Sequence, residues 1–129
     1  MPTNPRTPPS ALCALSLLAL ALLAARAAHA QDAAAGAMAF LQCADCHSPG
    51  SSDGIGPGLK GVVGRRAGSK AGFVYSDSMA KSSVVWDAAA LDRFLAAPLT
   101  ALPGTSMAYP GNADAKERAD LIAYLLTLK

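Results

Sequence analysis

The sequence predicts an all-α domain, on three observations. Stretches near residues 32–43, 88–97 and 114–128 carry helix signals. Between Ser48 and Gly72 the glycines are so dense that no regular helix or strand would tolerate them. The chain is also Ala-rich with only 5% aromatic residues, so a buried prosthetic group would supply bulk that the side chains lack.

In chain order, residues 1–30 read as a secretory signal. Arg6 lies in a short leading region, an apolar run extends from Ala11 to Ala25, and Ala28-His29-Ala30 forms an A-x-A cleavage site. Cleavage after Ala30 leaves residues 31–129 as one small domain. The competing reading is an uncleaved membrane anchor, but the run is well short of the roughly 20 residues that a spanning helix needs, and Arg26 interrupts its end. Cys13 precedes most of the apolar run, so it cannot be the lipidated first residue of a lipoprotein.

Removing the signal removes Arg6 and Arg26, which brings the 11 basic residues level with the 9 acidic ones. The mature chain is formally neutral, and nucleic acid is not an expected partner. The 52% hydrophobic fraction is likewise inflated by the leader.

The first helix is expected from Asp32 to Cys43, a proline-free stretch with Gly36 and Phe40 four apart on one face. It leads into Cys43-Ala44-Asp45-Cys46-His47, which gathers the two cysteines and the one histidine of residues 31–129. In a CxxCH motif the two thiols add across the vinyl groups of haem, and the following histidine places its imidazole on the iron. Zinc would need a second Cys or His cluster to complete four ligands, and none exists. A thioredoxin-like pair would need a preceding strand and a βαβ pattern, and the flanks here are Ala-rich helix and Gly-rich loop. One covalent haem c, held through Cys43 and Cys46 with His47 as an iron ligand, is the reading the residues support.

The glycine-rich stretch from Ser48 to Gly72 is expected to lie as a loop over the haem edge. Within it, Gly64-Arg65-Arg66-Ala67-Gly68-Ser69-Lys70 lacks the Gly-Lys-Ser/Thr ending of a phosphate loop. Asp87 is the expected N-cap of a middle helix from Ala88 to Ala97, with Leu91, Phe94 and Leu95 on one face and Pro98 enforcing the stop.

The second axial ligand follows in part by elimination. His47 is the sole imidazole after cleavage, so two-histidine ligation is impossible within one chain and methionine leads. Met38 lies on the helix carrying the attachment site and cannot easily reach the opposite haem face. Met79 and Met107 remain. Met107 is favoured because Leu102-Pro103-Gly104-Thr105-Ser106-Met107-Ala108-Tyr109-Pro110 reads as an extended loop able to wrap a planar ring. Met79 sits in a short polar stretch where a methionine more often fills a core.

The last helix begins after Asp114, with Glu117 placed to reach back in a variant of the capping box, and runs to about Leu128. Its stripe of Leu121, Tyr124, Leu125 and Leu128 must bury against something, and the first helix at Gly36 is the natural partner.

Taken together, Cys43 to His47, Gly56-Pro57-Gly58-Leu59-Lys60-Gly61, Gly64-Arg65, Gly72 to Asp77, Trp86, Pro103-Gly104-Thr105-Ser106-Met107 and Glu117 to Leu125 strongly resemble class I c-type cytochromes, mitochondrial and small bacterial periplasmic ones alike. The resemblance spans nearly all of residues 31–129. It implies the cytochrome c fold, with terminal helices crossing near Gly36, Phe40, Leu121 and Tyr124 and loops enclosing one haem. It adds weight to Met107 as the iron ligand beside His47. By position it implies that the Pro57 carbonyl accepts the Nδ1 hydrogen of His47. It assigns Arg65, Tyr75 and Trp86 to one haem propionate, with Ser76 and Thr105 near the other.

Two departures make the pocket less polar: Phe94 stands where the family usually has a tyrosine, and Met79 where it often has an asparagine. The family's lysines around the haem edge are largely replaced, by Leu99, Thr100, Ser106, Ala113, Asp114 and Ala115. A weakly charged, partly apolar docking face around Ala108 and Tyr109 is therefore expected.

The implied function is a one-electron carrier, not an enzyme. It would be exported to the periplasm as a monomer, with redox proteins as donors and acceptors and transient contact with membrane complexes. A dedicated haem c subunit of a periplasmic dehydrogenase is the alternative. A haem-based ligand sensor or peroxidase ranks third, since Pro103 and Gly104 fix the loop that a dissociating methionine would have to move.

Overall fold

The computed structural model describes residues 31–129, so the reading of residues 1–30 as a signal lies outside the described residues. Among the described residues there are five α-helices: α1 (Ala33–Ala39), α2 (Asp77–Ala80), α3 (Ala88–Ala96), α4 (Pro98–Ala101) and α5 (Ala115–Leu125). A 3-10 turn, Phe40–Gln42, extends α1 into the CxxCH motif. Among the described residues no helix is long and apolar enough to cross a membrane.

Each of the three expected helices starts on an aspartate. Asp32 accepts from the amides of Ala34 and Ala35, Asp87 from that of Ala90, and Asp114 from those of Lys116 and Glu117. The side-chain oxygen satisfies amides that have no partner within the first turn. Glu117 does not complete the capping box. Its carboxylate instead accepts from Gln42 Nε2 at 3.4 Å, tying the last helix to the first. The last helix ends at Leu125, and Thr127 and Leu128 close it with tighter turns onto the carbonyls of Tyr124 and Leu125.

Two short helices were not anticipated. Pro98 does stop α3, but it also opens α4, because a proline at the first helical position forfeits no hydrogen bond. In α2, Ser76 caps the helix by accepting from the Met79 amide.

α1 and α5 cross as expected at Gly36. A Cβ there would overlap the backbone carbonyl of Asp120 and come within 2.8 Å of the Tyr124 Cβ. Phe40, one turn on, packs its ring against Tyr124 with centroids 5.3 Å apart. Leu121 and Leu125 on α5 are buried with Leu91, Phe94 and Leu95 on α3, and Tyr124 and Leu128 are half-buried beside them. Arg118 bridges α5 to α3 through Asp92 at 2.7 Å.

The glycine-rich segment forms no helix. Its second half is anchored by one antiparallel bridge, Arg66 with Val85. The flanking bonds run from Ala67 to the Val84 carbonyl, from Trp86 to that of Arg65 and from Gly64 to that of Trp86. This pairing puts Arg65 and Trp86 side by side, an arrangement no alternation of residue types announces.

Candidate haem site

The helices and loops leave a cavity of about 290 Å³ between them. Its walls come from every part of the domain: Phe40 and Leu121 at the α1–α5 crossing, Leu91 and Phe94 on α3, Leu59 and Val62 from the glycine-rich segment. All ten residues singled out from the sequence border it: Cys43, Cys46, His47, Pro57, Arg65, Tyr75, Ser76, Trp86, Thr105 and Met107.

The 3-10 turn carries Cys43 to the cavity, and the amides of Cys46 and His47 fold back onto the Cys43 carbonyl. Both cysteines are unpaired and partly buried. Burial, then the neighbouring Cys46, pushes the Cys43 thiol up from its usual range.

His47 Nδ1 lies 2.8 Å from the Pro57 carbonyl oxygen. A carbonyl can only accept, so Nδ1 carries a proton, and in the neutral ring that leaves the Nε2 lone pair for a ligand. The ring has little freedom, because the bare α-carbon of Gly56 lies against it. A Cβ on Gly56 would sit 2.6 Å from Nδ1 and 2.8 Å from Nε2.

The methionines separate into two groups. Met38 is 68% exposed and is not among the cavity residues. Met79, on α2, and Met107 both border the cavity and are partly buried. Met107 follows α4 on a helix-free loop whose turn at Gly104 has φ of +85°, a conformation that favours glycine. Thr105, 8% exposed, accepts from the Met107 amide at 3.3 Å. Further along, the Tyr109 hydroxyl donates to Gln42 Oε1 at 3.4 Å, so the loop is tied to the segment bearing the cysteines. Burial chiefly, with Glu117 adding to it, pushes the Tyr109 hydroxyl above its usual range.

The polar residues at the rim have protein partners of their own. Arg65 donates to the carbonyls of Gly58 and Lys60, each at 3.3 Å. Trp86, 8% exposed, packs against Phe94 with ring centroids 4.9 Å apart. Tyr75 meets Phe73 edge-on at 4.8 Å. Ser76 both caps α2 and shares a hydrogen bond with Ser78 at 3.2 Å. Sequence reasoning missed Arg66, a second cation bordering the cavity, whose guanidinium donates to the Ser82 carbonyl at 2.9 Å. The Gly64-Arg65-Arg66 run contained that signal, but contacts with the distant segment around Ser82 and Val85 place it.

Two thiols separated by two residues, an imidazole, thioether sulfurs and a largely apolar wall are the donor set and enclosure of a covalently attached haem. The fold and site define a single-haem c-type protein. Comparison with known proteins agrees: the cytochrome c family model matches residues 33–129, and the chain belongs to that family. It is 42% identical over 100 residues to cytochrome c2 of Rhodoblastus acidophilus, covering 76% of this chain and 94% of that one. It is 49% identical over 80 residues to cytochrome c of Trypanosoma brucei brucei, covering 62% and 86% respectively. Among solved structures, cytochrome cH from Methylobacterium extorquens superposes with a TM-score of 0.72 at 48% identity, covering 74% of this chain and 98% of that one. The all-α cytochrome c fold expected from the sequence is thus borne out. The protein binds haem c covalently through Cys43 and Cys46 and is an electron carrier, not an enzyme.

Proposed function

We propose that the protein carries single electrons between redox proteins of the periplasm, with His47 and Met107 as the residues that would ligate the iron of its haem. When bound, the haem supplies a ferric/ferrous couple. The observation that carries the reading is that His47, with Nδ1 committed to Pro57, and Met107, on a loop pinned at both Thr105 and Tyr109, border the cavity that holds both cysteines.

Each residue then has a definable task. Cys43 and Cys46 hold the group in place. The Pro57 carbonyl fixes the imidazole's tautomer and raises its basicity as a ligand. Phe94 and Leu91 exclude water from the interior, which reduces the rearrangement that a change of charge would demand. Arg65, Tyr75 and Trp86 provide donors for one propionate, and Ser76 and Thr105 for the other. Met107 is preferred to Met79 because Met107 stands on a helix-free loop and Met79 on the short helix α2.

Residues 1–30, read as a cleaved signal, support periplasmic location. A dedicated haem subunit of a periplasmic dehydrogenase is the second reading, favoured by apolar Leu99, 64% exposed, and by exposed Ser106, both where the family's lysines are missing. Potentiometric titration of the purified protein tests the carrier reading: a reversible one-electron step and slow carbon monoxide binding to the reduced form are expected. Rapid carbon monoxide binding would indicate an open iron position and the sensor or peroxidase reading. Recovery of the protein from periplasmic extract in a stoichiometric complex with a dehydrogenase would establish the subunit reading instead of the free shuttle.

A further inference from the structure

The peptide unit between Pro57 and Gly58 is engaged on both sides. Its carbonyl oxygen accepts from His47 Nδ1 at 2.8 Å. Its N–H donates to Asp53 Oδ1, also at 2.8 Å. The same carboxylate oxygen lies 2.6 Å from Lys70 Nζ, and both side chains of that ion pair are partly buried, 30% exposed for Asp53 and 18% for Lys70. One line of hydrogen bonds therefore runs from an ionised carboxylate through an amide to the imidazole. Gly58 cannot easily leave it, since a Cβ there would meet the backbone of Gly50 and Ser51 at 2.7 Å.

We propose that Asp53 is a positioning and tuning residue for His47: its carboxylate, accepting from the Gly58 amide, strengthens the Pro57 carbonyl as an acceptor and so makes the imidazole a more electron-rich ligand. The inference rests on His47 being an iron ligand. The physical basis is the polarisation of an amide by charge. An anionic acceptor on N–H shifts amide electron density onto oxygen, and hydrogen bonds in series reinforce one another. A more electron-rich imidazole stabilises ferric over ferrous iron, so the effect is towards lower potential. Lys70 moderates it by sharing the same oxygen. The Lys70 bond first, then the Gly58 amide, holds the Asp53 carboxyl below the usual carboxylate range, so the charge is present at neutral pH.

Asp53→Asn keeps an oxygen acceptor for the Gly58 amide and removes the charge. It is expected to raise the potential of the holoprotein, to weaken the His47 Nδ1 hydrogen bond seen by NMR, and to speed deuterium exchange at the Gly58 amide by about tenfold, as a neutral bond replaces a charge-assisted one. Lys70→Gln leaves the carboxylate unshared and is expected to shift all three the other way. A charge acting only through space would also move the potential, but that shift would fade at high salt and leave the His47 Nδ1 proton in place. That pattern, or an unchanged potential, overturns the proposal. The ferric wild type provides the separate check: His47 ring protons without a paramagnetic shift would overturn the ligand assignment and this inference with it, whereas shifted protons unmoved by Asp53→Asn overturn only the inference.

Discussion

Gly36 lies directly against the backbone carbonyl of Asp120, where the first and last helices cross. The neighbour is main chain, so it cannot swing aside as a side-chain tip would. Gly36→Ala gains about 1 kcal/mol of helix propensity, but separating two packed helices costs more, typically 1–3 kcal/mol and greater where backbone must move. A net loss of about 2 kcal/mol is expected in denaturant unfolding of the holoprotein. A variant as stable as the parent would show that the helices have room to separate.

The same crossing sets an acid dependence. Asp120, 6% exposed, accepts from Lys116 Nζ at 2.6 Å and from the Asp32 amide at 2.9 Å. The Lys116 bond first, then the Asp32 amide, holds its carboxyl below the usual carboxylate range. A depressed folded-state pKa stabilises the protein above the unfolded value near 3.8, and that contribution is lost as pH falls through the folded value. Unfolding free energy should therefore fall more steeply with acidification below about pH 4 in the parent than in Asp120→Asn. Equal slopes would remove Asp120 from the acid response.

Gly56→Ala places a methyl group into the His47 ring. The ring must tilt away from the Pro57 carbonyl or the loop must shift. Lower yield of haem-loaded protein and an altered ferric spectrum are expected, with the purified apo chain and holo chain quantified side by side. Full incorporation with an unchanged spectrum would show that the loop yields freely.

The proposed docking face contains exposed Leu99, Ser106 and Ala108 beside half-buried Tyr109. With little charge to steer a partner, the rate of electron exchange with a purified periplasmic oxidant should change by less than roughly threefold between low and high salt, against the 10- to 1,000-fold of steered pairs. A steep fall with salt would assign docking to charged residues elsewhere.

Much of this was legible in the sequence because the decisive signals are local. Asp32, Asp87 and Asp114 mark helix starts through bonds to their own first turns, and Cys43, Cys46 and His47 lie within one turn of a short segment. What escaped depends on contacts between distant segments. Glu117 had the spacing of a capping box, yet Gln42, 75 residues earlier, takes its carboxylate. Arg66 reads as one of two adjacent surface arginines, yet it borders the cavity, with its guanidinium on the Ser82 carbonyl 16 residues later. The Asp53 bond to Gly58 involves a main-chain amide, and main-chain amides leave no trace in residue identity. Met79 and Met107 share one cavity because the fold brings lining residues together, and the proposed ligand, Met107, is one of two methionine sulfurs there.

That choice is the central claim, and optical spectroscopy of the ferric holoprotein tests it most directly. Met107→Ala is expected to abolish the sulfur-to-iron charge-transfer band, and Met79→Ala to retain it. Loss of the band in Met79→Ala with retention in Met107→Ala would move the ligand to α2 and contradict the account.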